Sequence, residues 1–374
     1  MQSTLKRVII SGGGTGGHIF PAVSLANELR AMCPGIEILF VGAQGRMEMQ
    51  RVPAAGYEIV GLPVRGLLRP LWRLANVGVL LDYLRSKRMI KKTIKEFAPQ
   101  VAVGVGGYAS SATLNAAYEM GIPCLIQEQN SYAGLTNKSL AKKARKICVA
   151  YEGMERFFPR ERILLTGNPV RQNLADATIT REEAAAHFGM KADVPTILLV
   201  GGSLGARTLN ESVLRHLDKI AAAPVQFIWQ TGSYYKEHIS AELARRERPT
   251  NLFVTDFVSR MDYAYKVADL VISRAGASSI SELCLLGKAS ILVPSPNVSE
   301  DHQTHNAMAL VKKDAALLVK DAEATENLIP QALATVADPE RLRSLCTNAH
   351  KMAYRDAARV IAEEVIKLAQ QPDK

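Results

Sequence analysis

The sequence repeats one local pattern: a short apolar run, a glycine turn, a helix-spaced segment, a second glycine and another apolar run. It is clearest around Arg274 to Asn306. Leu270-Val271-Ile272-Ser273 reads as a buried parallel strand. Gly276 breaks the run, and Ser278-Ser279 open a segment with apolar residues at Ile280, Leu283, Cys284 and Leu286, stopped by Gly287. A second strand, Ser290 to Val293, ends at Pro294. Strand, turn, helix start and strand make half of a nucleotide site, because the open N–H groups of such a helix suit a phosphate. Glu282, one turn in, is an acceptor for ribose hydroxyls. A second reading makes Ser279-Ile280-Ser281-Glu282 a capping box. The polar run Glu300-Asp301-His302-Gln303-Thr304-His305-Asn306 favours the ligand reading, since ligands of open α/β sheets bind beyond the strands' C-terminal ends.

The pattern recurs at Val101 to Ile126, where Gly106-Gly107-Tyr108-Ala109-Ser110-Ser111 follows a strand and Gln127-Glu128-Gln129-Asn130 ends the unit. Thr196 to Val200 leads into Gly201-Gly202-Ser203-Leu204-Gly205, echoing Arg7 to Ile10 followed by Gly12-Gly13-Gly14-Thr15-Gly16-Gly17-His18 and a helix from Pro21 to Arg30. Two similarly built α/β halves with anion-binding turns predict two nucleotide-fold domains and a cleft between them. Gly167-Asn168-Pro169-Val170-Arg171 marks the boundary. Arg171 is either a phosphate ligand or a linker arginine. His18 is either a base, with its pKa near neutrality, or a helix-start residue with a structural hydrogen bond. Gly12, Gly14 and Gly17 also satisfy the dinucleotide fingerprint, but the second strand, Ile36 to Val41, ends without the acid that fingerprint needs. Phe257 and Val258 follow the strand Leu252 to Thr255. The aromatic ring could cap a base, although a core residue is the default.

Apolar content of 48% and charged content of 22% are those of a globular chain. The five cysteines have no metal-ligand spacing and read as buried free thiols in a reducing compartment. A strand begins too early for a signal peptide, and no apolar stretch is long enough to span a bilayer. Residues 1–168 carry 22 Lys and Arg against 11 Asp and Glu; the remainder carries 24 against 25. The first half therefore expects a polyanionic partner. Between Arg65 and Lys95 basic residues alternate with bulky apolar ones, among them Leu67, Leu68, Arg69, Leu71, Trp72 and Arg73. That mixture suits an anionic membrane surface. From Tyr83 onward an amphipathic helix with a solvated basic face fits as well. Aromatic stacking positions are too few to favour nucleic acid. Asn137-Lys138 and the basic run Lys142 to Lys146 read as a solvated helix face. No DxD or GxxxxGK[ST] sequence occurs.

Taken together, Gly13-Gly14-Thr15-Gly16-Gly17-His18, Gly106-Gly107-Tyr108, Glu128-Gln129-Asn130 with Ala133 to Asn137, Gly167 to Arg171, Gly201-Gly202-Ser203 with Gly205-Ala206-Arg207, Arg274 with Gly276-Ala277 and Ser281-Glu282, and Asp301-His302-Gln303 with Asn306-Ala307 resemble the MurG family of glycosyltransferases. The resemblance implies the GT-B fold, with two Rossmann-like domains whose parallel sheets face a central cleft. An acceptor and membrane domain would span 1–168, completed by a helix at about 354–370, and a UDP-GlcNAc domain would span 169–350. It further implies inverting transfer of GlcNAc to the MurNAc 4-hydroxyl of lipid I, giving lipid II, at the cytoplasmic face of the bacterial membrane, with other cell-wall synthesis proteins as possible partners. Carried onto this chain, Val258 and Phe257 would meet the uracil and Glu282 the ribose. Ser203, Arg171 and the helix start Ala277, Ser278, Ser279, Ile280 and Ser281 would hold the diphosphate, with Arg274 also counted among the donor-binding residues. Gln303 and Asn130 would orient the sugar, and Thr15, Gly16 and Gly17 would lie close to it. His18 is the first choice for base and Glu128 the second. No cofactor is implied, although divalent-ion stimulation is compatible. Ser278-Ser279 depart from the more apolar character expected there, and the loop Ser295 to Glu300 is one where variation is expected. Rival readings are a GT-B transferase acting on a diacylglycerol lipid, a UDP-GlcNAc 2-epimerase and a dinucleotide-dependent oxidoreductase.

Overall fold

The computed structural model describes residues 5–66, 75–170, 174 and 178–370. These residues form two compact units, one of residues 1–170 with 356–374, the other of residues 171–355.

Unit 1 runs β1 (Arg7–Ser11), α1 (Gly16–Met32), β2 (Glu37–Ala43), α2 (Glu48–Ala54), β3 (Glu58–Leu62), α3 (Ala75–Phe97), β4 (Val101–Gly104), α4 (Tyr108–Glu119), β5 (Cys124–Glu128), α5 (Leu135–Leu140), β6 (Lys146–Val149) and β7 (Ile163–Leu165). The strands make one parallel sheet in the order β3-β2-β1-β4-β5-β6-β7. Side chains alternate across it, so both faces are apolar and each carries its own core. Ile9, Leu39, Ala102 and Ile126 face one side with Ile90 and Ile94 of α3; Val8, Ile10, Val101 and Leu125 face the other with Leu25 of α1.

Unit 2 runs α6 (Arg181–His187), β8 (Thr196–Val200), α7 (Arg207–Arg215), α8 (Leu217–Ala222), β9 (Gln226–Gln230), α9 (Lys236–Ala244), β10 (Leu252–Thr255), α10 (Met261–Val267), β11 (Leu270–Ser273), α11 (Ala277–Leu285), β12 (Ala289–Leu292), α12 (His302–Val311), β13 (Leu317–Leu318), α13 (Asp321–Val336) and α14 (Pro339–Lys351). Its parallel sheet has the order β10-β9-β8-β11-β12-β13. The last helix, α15 (Ala357–Gln370), belongs to unit 1 and packs on α1. It buries Ile361, Ala362, Val365 and Leu368 beside Val8, Ile10 and Leu25.

Several elements differ from the sequence reading. Helix α1 starts at Gly16, not Pro21, and Pro21 lies within it. Pro21 is the sixth helical residue, where its missing N–H leaves the Gly17 carbonyl without its usual i+4 donor and its ring crowds that carbonyl, while its side chain is buried. Helix α3 starts at Ala75 rather than Tyr83. The polar run Glu300 to Asn306 enters α12 through Glu300 and Asp301, both with left-handed backbone at φ 57° and 47°. Asn137 is buried rather than solvated. Four cysteines are buried and Cys346 is half-buried, all five without disulfides. Burial pushes the thiols of Cys124 and Cys284 up to about 12.

Candidate active site

Each sheet has one place where the chain reverses its direction of growth. In unit 1 it lies between β1 and β4, in unit 2 between β8 and β11. Loops leaving adjacent strands there diverge to opposite faces and open a crevice at the strands' C-terminal ends. The sequence-derived glycine loops sit at these two points.

In unit 1 the loops after β1 and β4 touch. A Cβ on Gly107 (φ 86°) would stand 2.7 Å from the Gly13 carbonyl oxygen, and one on Gly106 (φ 103°) 2.8 Å from His18 Nε2. Only glycine allows that approach. Thr15, exposed and extended, is the N-cap of α1, and its carbonyl accepts from the N–H groups of His18 and Ile19. Gly16 and Gly17 form the first helical residues. His18 is half-buried, and its Nδ1 lies 2.8 Å from the Gly13 carbonyl oxygen and 3.5 Å from Thr15 Oγ1. A histidine donating from Nδ1 carries its lone pair on Nε2.

One residue of this loop escaped the sequence reading. Glu48, at the start of α2 and 1% exposed, accepts from the Gly14 N–H and the Ala43 N–H at 3.0 Å each. Glu48 is thus spent on the loop's own backbone and does not replace the ribose-binding acid absent from the end of the second strand.

Glu128 ends β5 and is also 1% exposed. Its carboxylate accepts from Asn130 N (3.1 Å) and Nδ2 (3.3 Å), Gly134 N (3.0 Å) and Asn137 Nδ2 (2.9 Å). A carboxylate holding four donors organises its loop, because both of its oxygens are occupied by groups of residues 130–137. Asn130 is oriented by the same bonds.

In unit 2, Gly276 caps α11 with no side-chain cap bond, and Ser279 lies inside the helix. The capping-box reading therefore fails. Glu282 is 8% exposed and accepts from the Tyr265 hydroxyl at 3.2 Å. The Ser278 hydroxyl is buried with no protein partner. Ala277, Ser278 and Ser279 present the first N–H groups of the helix, where positive dipole charge collects. Ile280 points into the core and Ser281 is half-buried. Arg274 donates to Asp321 and to the carbonyls of Val293 and Pro294, so its charge braces the loop after β12. Gln303 Oε1 accepts from the Ser295 N–H at 2.8 Å, and Asn306 Nδ2 donates to the Ala275 carbonyl at 3.4 Å, tying α12 to the loops after β12 and β11.

Ser203 is exposed after β8, and its carbonyl accepts from the Ser233 N–H. Phe257 is 57% exposed, a ring presented to solvent rather than buried in the core, while Val258 is buried. The Val258 N–H is already bonded to Gln230 Oε1 at 2.9 Å, and Gln230 Nε2 donates to the Gly202 carbonyl at 3.0 Å. Gln230, also missed in the sequence, links two loops of the crevice from the end of β9. Arg171, Leu67, Leu68, Arg69, Leu71, Trp72 and Arg73 lie outside the described residues.

Among the described residues no helix is long and apolar enough to cross a membrane. Helix α3 nevertheless exposes Val77, Leu80, Leu81 and Leu84, an outward apolar stripe at helical spacing. Further along, Ile90 and Ile94 turn into the core. Lys87 and Lys91 there pair with Glu119 of α4, and the two ammonium groups hold its carboxyl down to about 2.

The glycosyltransferase family 28 N-terminal domain matches residues 8–149, and the family's C-terminal domain matches residues 196–364. A protein of Phocaeicola vulgatus is 62% identical over 97% of this chain and 96% of its own length. One of Cytophaga hutchinsonii is 51% identical over 97% and 96%. Both carry the name UDP-N-acetylglucosamine–N-acetylmuramyl-(pentapeptide) pyrophosphoryl-undecaprenol N-acetylglucosamine transferase. The crystal structure of Acinetobacter baumannii MurG superposes with a TM-score of 0.78 at 29% identity, over 97% of this chain and 99% of that one. A UDP-GlcNAc 2-epimerase from Neisseria meningitidis, at 15% identity and a TM-score of 0.65, shares the fold alone. With both family domains in order and relatives matched along nearly their whole length, the chain belongs to glycosyltransferase family 28 and, within it, to the MurG family.

Proposed function

We propose that this protein transfers N-acetylglucosamine from UDP-N-acetylglucosamine to the MurNAc 4-hydroxyl of undecaprenyl-diphosphate-MurNAc-pentapeptide, with inversion at the anomeric carbon. Full-length identity of 51–62% to transferases named for this donor and acceptor carries the reading. In it, unit 2 takes the donor. The N-terminus of α11 and the Ser278 hydroxyl bind the diphosphate, Glu282 the ribose and the Val258 carbonyl the base, with Phe257 against it. Arg274 shapes the site from behind, and Gln303 and Asn130 orient the sugar. The acceptor oxygen attacks the anomeric carbon as the bond to UDP breaks, and UDP leaves with the electron pair. His18 Nε2 takes the hydroxyl proton, and Thr15, Gly16 and Gly17 place the ring. Helix N–H groups meeting the charge that grows on the leaving diphosphate lower the barrier further. The four donors on Glu128 favour His18 over it as base.

The same reading puts the protein on the cytoplasmic face of the membrane as a peripheral enzyme. The stripe Val77, Leu80, Leu81 and Leu84 would enter the interface, and nearby Arg85 and Arg88 would meet anionic headgroups at about 1 kcal/mol per charge.

The test is transfer of labelled N-acetylglucosamine to a short-chain acceptor analogue, wild type beside His18→Ala. Wild type turns over, and the variant loses roughly 10²–10⁴-fold in kcat with donor affinity unchanged. Hydrolysis or epimerisation of the donor without transfer would overturn the acceptor assignment. Near-normal turnover by the variant would overturn His18 as base.

A further inference from the structure

We propose that Glu48 is a positioning residue for His18 and acts on it through a single peptide group. The Gly13 carbonyl and the Gly14 N–H belong to the same planar amide. On one side His18 Nδ1 lies 2.8 Å from the carbonyl oxygen; on the other, the N–H donates to Glu48 Oε2 at 3.0 Å. Carboxylate, amide and imidazole therefore form one hydrogen-bonded line, an acid–histidine pair with a peptide between them.

Three features give the line its effect. Glu48 is 1% exposed, so water screens its charge little. Among the described residues its partners are the N–H groups of Gly14 and Ala43, both neutral. A carboxylate on an amide N–H polarises the amide, making its oxygen the stronger acceptor. The result selects the tautomer protonated at Nδ1 and stabilises the imidazolium formed when Nε2 takes a proton. Acid–histidine pairs in direct contact act in the same way. The ring is flanked by the Gly13 carbonyl and Thr15 at Nδ1 and by Gly106 at Nε2, and Glu48 is the carboxylate behind the Gly13–Gly14 peptide. Glu128, one strand beyond β4, is tied to residues 130–137.

The inference rests on His18 as base, and the test separates the two. Nitrogen-15 NMR on the full chain, with the His18 signals assigned by His18→Gln, reads tautomer and titration midpoint directly. Wild type shows the Nδ1–H tautomer. In Glu48→Gln, loss of the charge lowers the His18 midpoint by about one pH unit. The acid limb of kcat/KM moves down with it, and kcat at pH 8 falls about tenfold while KM for the donor holds. Glu48→Asp, which keeps the charge on a shorter arm, falls between the two and serves alone should Glu48→Gln not fold. An Nε2–H tautomer in wild type, or turnover lost with an unmoved midpoint in either variant, overturns the proposal. A midpoint that moves while His18→Ala remains active upholds the coupling and removes only the base assignment.

Discussion

In the proposed donor site Val258 has one backbone group to offer a base, because Gln230 has taken its N–H. The carbonyl remains to accept from uracil N3–H, which cytosine lacks. The same Gln230 holds Gly202, so the loops after β10 and β8 share one anchor. Gln230→Ala is expected to raise the dissociation constant for UDP-N-acetylglucosamine about tenfold by leaving both loop groups unpaired. Turnover at saturating donor should stay near wild type. Calorimetric titration beside initial rates checks this, and tighter binding would mean that Gln230 competes with the base. The places of His18, Ser203, Glu282 and Gln303 beside the two crevices were legible in the sequence, because glycine turns and strand ends are local signals. Glu48 and Gln230 were not: their loop partners lie 34 and 28 residues away, and only the folded sheets bring them together.

Among the elements, α3 has two jobs along one axis. Its second half is an ordinary amphipathic helix, with Ile90 and Ile94 inward and basic side chains outward. Its first half turns Val77, Leu80, Leu81 and Leu84 away from the core. Periodicity alone could not say which way that stripe pointed, since an apolar face at helical spacing is normally a buried one. Replacing Leu80 and Leu81 together by Asp is expected to cut binding to anionic vesicles more than tenfold. Melting temperature and turnover on a water-soluble acceptor should be unchanged. Co-sedimentation beside that assay checks the pair, and a matching fall in stability would return the stripe to the core. Helix α11 teaches a similar lesson. Ser279 and Glu282 have the spacing of a cap, yet Gly276 already starts the helix. A spacing rule does not fix where the first turn begins.

At the scale of the whole molecule, the repeated strand–glycine–helix pattern made the fold class readable from the sequence. Which helix completes which sheet is a matter of long-range packing that local pattern does not encode. Ile361 and Val365 of α15 are fully buried in the unit that begins at the other end of the chain. Ile361→Ala is expected to cost about 3 kcal/mol of unit 1 stability, within the range for emptying a large aliphatic core position. Denaturant titration read with a probe in unit 1 measures it, and a loss under 1 kcal/mol would make the docking of α15 superficial. The same docking sets the order of events on the ribosome. Residues 171–355 must be made between the two parts of unit 1, on the order of 10–40 s at typical synthesis rates. Through that interval Val8, Ile10 and Leu25 lack their final cover, so the nascent chain exposes an apolar surface until α15 is made. A chain that stops short of α15 leaves that face of the sheet uncovered.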